Sequence, residues 1–252
     1  MEEDIRIIIE NKPIVAHKKM LVDHSQYFEA MFQDHFREGQ QQEIKLHAVK
    51  FDIFQLILEM IKADKTEISR DTSMDTVVDI LKCSNMLQFT DIQHLCAQYL
   101  VSKIDNQTCW TILEASDLVQ DQAMVSRCEN YILWHFKHCR ESLGLSSLSP
   151  DLLVRVLSHQ NLNISSEMEM VQCLVRWCAT NQCKHKLSSL VRSCIYTENL
   201  SSEDEKELSE LGVDVSGVPN RRRYLPVVPC VVGHANKSEN KPRNPSERVN
   251  IL

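Results

Sequence analysis

At 252 residues, 43% apolar and 25% charged, the chain has room for one large domain or two ordinary ones with real cores. Its five glycines argue against Gly-rich phosphate loops and many-turned β architectures, and favour long helices. The net charge of -7 is uneven: from Pro219 to Leu252 seven Lys/Arg stand against two Asp/Glu, and the remaining acidic body repels nucleic-acid phosphates.

The acidic N-terminus lacks the basic-then-apolar order of a secretory signal, and no apolar run approaches the ~20 residues that span a bilayer. Ten cysteines with no CxxC pair then read as free thiols of a reducing compartment, mostly packed in the core.

Ile5 to Glu10 is short and β-branched, as a buried strand should be. Asn11-Lys12-Pro13 carries turn chemistry and Ile14-Val15-Ala16 a second strand, together a hairpin. Helices follow over His17 to Val22 and Ser25 to Phe32, with Ser25 as N-cap of the second. A polar stretch, Gln33 to Gln42, leads to an alternating strand at Glu43 to Leu46. Three helical stripes come next: Phe51, Phe54, Leu58, Ile61; Val77, Ile80, Leu81, Ser84, Leu87; and Ile92, Leu95, Cys96, Tyr99, Leu100.

Beyond about residue 104 only helical spacing is found until the tail. Met124, Cys128, Tyr131 and Ile132 share a face, and Ser149-Pro150 is an N-cap followed by proline at the first helical position. Ser166 with Glu169, and Ser202 with Glu205, have capping-box spacing. Stripes at Val171, Leu174, Val175, Cys178 and at Leu187, Leu190, Val191, Cys194 complete an all-helical array behind a small α+β unit. From Gly217 the composition turns to Pro, Asn, Ser and Lys, which predicts a flexible tail. Arg221-Arg222-Arg223 reads there as a solvated linker.

The chain has no GxSxG, GxxxxGK[ST] or HExxH signature, so no enzyme is predicted and no cofactor is implied. Two loose groups, Cys128 with His135, His138 and Cys139, and Cys178 with Cys183 and His185, are candidates for zinc. Their cysteines fall largely on apolar stripes, so core cysteines and surface histidines are expected instead. Phe36-Arg37-Glu38 places a large aromatic in a polar stretch. From the pattern alone Phe36 either folds back on the core or fills a partner's pocket.

Several segments, in order and at the right spacing, resemble the BTB (POZ) domain over residues 4 to about 104. They are Asp4-Ile5-Arg6-Ile7, Ala16-His17-Lys18-Lys19-Met20-Leu21, Ser25-Gln26-Tyr27-Phe28-Glu29-Ala30-Met31-Phe32, Glu43-Ile44-Lys45-Leu46 and Asn85-Met86-Leu87-Gln88. Leu148 to Leu153, Leu162 to Glu167 and Val175-Arg176-Trp177 resemble the BACK domain to about residue 215. The chain is thus similar to the kelch-like family. The resemblance implies an α+β BTB domain (1–104), an all-α BACK domain (105–215) and a tail (216–252) similar to the linker and first strand of a kelch propeller.

It further implies a BTB homodimer and docking to the BTB-specific cullin, cullin-three, in the cytoplasm or nucleus, with an unidentified protein substrate and neither membrane nor nucleic acid as partner. Phe36 and Glu38 fit the family's hydrophobic-x-acidic docking motif, Phe36 as anchor and Glu38 as orienting charge. Asp4 and Lys18 match a charged pair near the dimer interface, or equally a fold-stabilising pair. Two departures stand out: Met60-Ile61-Lys62-Ala63-Asp64 replaces the family's Tyr-x-Tyr-Thr-Gly, and the tail is too short for a kelch repeat of about 50 residues. They leave a second expectation, a non-ligase regulator that hetero-dimerises with full-length relatives.

Overall fold

A computed structural model describes residues 4–33, 41–220 and 223. The sheet is built on β1 (Asp4–Ile9), which pairs antiparallel with β2 (Lys12–His17) and parallel with β3 (Glu43–Lys45), in the order β2-β1-β3. Strand alternation sends Ile5, Ile7 and Ile9 wholly into the core, while Arg6 stays on the solvent face, 3.5 Å from Glu43. The hairpin turns on Glu10 and Asn11, both at positive φ (50° and 61°), one residue earlier than the sequence suggests. Such a two-residue turn matches the twist of the strands. Pro13 therefore lies inside β2, where an edge strand tolerates its missing N–H.

Helices α1 (Lys18–His24), α2 (Gln26–Met31), α3 (Phe51–Lys62), α4 (Met74–Met86) and α5 (Thr90–Ser102) complete the first unit. Phe28 of α2 is its hub, fully buried and with ring centroids 5.3–6.3 Å from those of Tyr27, Phe32, Phe54 and Phe89. The expected stripe on α3 is rotated: Ile53 and Ile57 are buried beside Phe54 and Leu58, whereas Phe51 and Ile61 are only partly covered. The helix meets the core on both the sheet side and the α4 side, and that demands a wider face than one row of residues.

The second unit comprises α6 (Cys109–Leu118), α7 (Gln122–Cys139), α8 (Pro150–Leu157), α9 (Glu167–Thr180), α10 (Leu187–Cys194) and α11 (Ser202–Glu210). It joins the first unit through α6 on α4 and α7 on α5, so one apolar core runs through both. Trp110 of α6 is fully buried and donates its indole N–H to the Cys139 carbonyl at 2.8 Å. Helix α7 kinks at His135, and Asn163 caps the freed turn with its amide and side chain on the Leu133 and Trp134 carbonyls, 2.9 and 3.0 Å away.

The scarcity of glycine has a structural counterpart. Helices α3, α4, α6, α9 and α11 end in the same six-to-one turn, for example Lys65 N–H to the Met60 carbonyl at 3.1 Å and Asp121 N–H to Ser116 at 3.0 Å. Only α11 has glycine, Gly212, at the left-handed position; Asp64, Gln88, Gln120 and Gln182 occupy the others with φ of 45–59°. Asp64 closes α3 in the backbone shape that glycine favours, without a glycine.

The capping expectations are met at Ser25 and Ser149 and altered elsewhere. Ser166 caps α9 through Met168 N–H at 3.1 Å, but Glu169 turns away to lie 3.2 Å from Arg140 instead of closing a box. The box on α11 is formed by Ser201 and Asp204, one residue ahead of the Ser202–Glu205 spacing. The tail strands suggested at Tyr224 to Val228 and Cys230 to Val232 lie outside the described residues.

Candidate protein-interaction site

The first unit presents its candidate site around the end of α2 and the mouth of the hairpin. Ser25 fixes α2 from both sides. Its hydroxyl accepts the Phe28 N–H at 3.1 Å and donates to the carbonyl of Leu87, the C-cap of α4, at 2.6 Å. The residue is 3% exposed, so this is a buried tie between two helix ends. Phe36 and Glu38, which lie in the sequence between α2 and β3, are outside the described residues.

Asp4 and Lys18 are both placed at the open end of the hairpin. The register sets Asp4 opposite His17, and the Asp4 carboxylate meets the His17 Nδ1 there, a partner that the sequence reading passed over. Both side chains are about half exposed, which keeps the pair in the weak, screened class. The Lys18 ammonium lies 5.7 Å above the Phe32 ring, tying the start of α1 to the end of α2. An Asp–His pairing could have been found from the two-residue turn, because the register follows from it by counting.

The nine described cysteines, seven of them in the second unit, are all buried, and His135, His138 and His185 are exposed, the arrangement expected from their stripes. Burial pushes the thiols of Cys83, Cys96, Cys128 and Cys194 up to about 12, so these are packed, unreactive groups. Among the described residues no three His, Cys, Asp or Glu side chains converge to hold a metal ion. Among them, too, no helix is long and apolar enough to cross a membrane.

The residue most misjudged from sequence is Arg223. It is not a solvated linker residue: its side chain is fully buried, 2.8 Å from the equally buried Glu167. Arg221 and Arg222 lie outside the described residues. No local signal marks this pair, because its members are 56 residues apart.

Residues 1–104 match the model of the BTB/POZ domain, and residues 109–210 that of BACK, "BTB And C-terminal Kelch". The chain belongs to the BTB–BACK, kelch-like family. It is 29% identical over 174 residues to Kelch-like protein 40 of Xenopus tropicalis, covering 69% of this chain and 28% of that protein. It is 26% identical over 178 residues to Kelch-like protein 8 of Caenorhabditis elegans, covering 71% of this chain and 25% of that one. With Kelch repeat and BTB domain-containing protein 2 of Homo sapiens it shares 26% over 226 residues, 90% of this chain and 33% of the relative. The chain thus spans a quarter to a third of the length of these relatives. Among solved structures, the BTB domain of human Gigaxonin is similar to 38% of this chain, at 19% identity and a TM-score of 0.31.

Proposed function

We propose that this chain is a dimeric, non-enzymatic scaffold that docks a cullin-three type ligase subunit through its BTB domain and carries a protein substrate's recruiter toward it. The observation that supports this reading is the buried Ser25 tie. It fixes the start of α2, and the Phe28 ring stacked on Phe32 at 5.7 Å holds the other end, so a docking segment at Phe36–Glu38 follows in sequence on a rigidly held helix. Rigid presentation lowers the ordering cost of binding and favours an aromatic anchor with an orienting charge.

In this reading Phe36 enters an apolar pocket of the cullin and Glu38 pairs with a donor beside it. Asp4 and Lys18 stand near the two-fold axis of the homodimer. Two docking sites per dimer raise the effective concentration of ligase at a bound substrate.

The second reading, a regulator that hetero-dimerises with full-length relatives through the BTB face, draws support from Met60 to Asp64. There the family's tyrosines are missing and Met60 is buried. Calorimetry of the chain with the N-terminal domain of cullin-three, with mass by light scattering in the same buffer, separates the two. A dimer that binds below micromolar supports the scaffold; a dimer without binding supports the regulator. Phe36→Ala with Glu38→Ala is expected to abolish cullin binding while leaving folding and dimer mass unchanged. Unaltered affinity would overturn the docking assignment.

A further inference from the structure

Glu167 opens α9, directly after its Ser166 cap. An acidic residue there is ordinary, since first-turn amides favour negative charge, but such residues normally keep their carboxylates in water. Here the carboxylate is wholly buried and meets the Arg223 guanidinium fork to fork. Nε donates to Oε1 at 2.8 Å and Nη2 to Oε2 at 3.3 Å.

Three main-chain carbonyls also face the guanidinium, and the two Nη2 hydrogens are shared among Glu167 Oε2 and two of them. Nη2 donates to Leu157, the last residue of α8, at 3.0 Å, and to Cys194, the last residue of α10, at 3.1 Å; Nη1 donates to His159 just past α8. Two helix C-termini, each with partial negative charge, thus point at one cation. The flat face of the guanidinium lies 4.4 Å from the centre of the Tyr196 ring, and the Tyr196 hydroxyl donates to the Ser158 carbonyl at 2.8 Å, which holds the ring in place.

The backbone is read as well. Arg223 N–H donates to Asn199 Oδ1 at 2.8 Å, and Asn199 Nδ2 donates to the Arg223 carbonyl at 3.5 Å. One side-chain amide therefore brackets one residue as a neighbouring strand would. Every receptor group comes from residues 157–199, and the arginine alone comes from beyond residue 220.

We propose that the BACK domain carries an arginine-binding pocket, formed by Glu167, the Leu157, His159 and Cys194 carbonyls, Tyr196 and Asn199. Its ligand is an arginine within an extended peptide. The chain's own Arg223 fills it in cis and so pins the backbone at residue 223 to the helical array. The same peptide fills it in trans when Arg223 is removed. Lysine is a poor substitute, because a point charge cannot meet the carboxylate fork, three carbonyls and a ring together. This inference does not depend on cullin docking.

The test titrates a fluorescent peptide of residues 217–228, with Arg221 and Arg222 as alanine so that one arginine remains, into the full chain carrying Arg223→Ala. Anisotropy is expected to show saturable binding, at least tenfold weaker for wild type, whose pocket is full, and for the peptide with lysine in place of Arg223. Adding Glu167→Gln to the Arg223→Ala chain removes it. Absence of binding to a folded Arg223→Ala chain, or equal binding of the lysine peptide, overturns the proposal.

Removing one partner of a buried pair is strongly destabilising, so a second measurement uses chains that keep both. Trypsin is expected to cut the Arg223–Tyr224 bond of native wild type at least tenfold more slowly than in the urea-unfolded chain, and Asn199→Ala to restore much of that rate. Equal cleavage in native and unfolded wild type also overturns the pocket.

Discussion

Replacing Ser25 by alanine removes two bonds with one atom. The hydroxyl caps α2 at Phe28 N–H and donates to the Leu87 carbonyl across 62 residues of sequence. Loss of an N-cap costs about 1 kcal/mol. The Leu87 carbonyl then faces a site that is 3% exposed, where water does not replace the donor. An orphaned buried acceptor adds about 1–2 kcal/mol. The expected total is about 2–3 kcal/mol, a fall in Tm of roughly 5–10 °C for a chain of this size. Circular dichroism melts of wild type, Ser25→Ala and Ser25→Gly separate the parts. Glycine keeps most of the N-cap preference, at a loss of only a few tenths of a kcal/mol, so its destabilisation of about 1–2 kcal/mol would report mainly on Leu87. A Ser25→Ala chain within about 0.5 kcal/mol of wild type would refute the tie as the anchor of α2. A Ser25→Gly chain that melts with wild type would assign the whole effect to the cap.

Other consequences follow from the packing. A Cβ on Gly144 would sit 2.8 Å from Thr111 Oγ1 and 3.2 Å from both Thr111 N and Trp110 Cβ, so Gly144→Ala should destabilise by about 1–3 kcal/mol in urea melts. Gln120 holds φ at 59° to close α6; relief of this left-handed strain outweighs the freedom glycine adds to the unfolded chain, so Gln120→Gly should raise stability by about 0.5–1 kcal/mol in the same melts. Burial raises the thiols of Cys83, Cys96, Cys128 and Cys194 to about 12 in the folded chain from 9.0. The unfolded chain therefore loses these protons first as pH rises. Their stabilisation is complete below pH 9 and falls above it, by up to about 1.4 kcal/mol per pH unit for each such thiol. Urea melts from pH 7 to 10 should be flat and then decline, and thiol reagents at pH 8 should label these four only after unfolding.

Where a feature rests on neighbours three or four residues away, the sequence alone determined it. The Ser25 and Ser149 caps, the Val77 to Leu87 stripe and the buried β-branched run at Ile5, Ile7 and Ile9 are such cases, because helix and strand periods are local geometry. So is the order of two domains, carried by short motifs at fixed spacing. One-residue slips, at the hairpin turn and at the Ser201–Asp204 box, arise because several adjacent residues satisfy the same local chemistry and packing selects among them. Only the tertiary structure decided the width of the buried face of α3 and the fate of Arg223. In a run of three arginines nothing in the letters marks the third as buried. Burying a guanidinium is tolerable only when a carboxylate and several carbonyls converge on it, and here they come from the ends of α8 and α10 and the start of α9, helices brought together by the folded core.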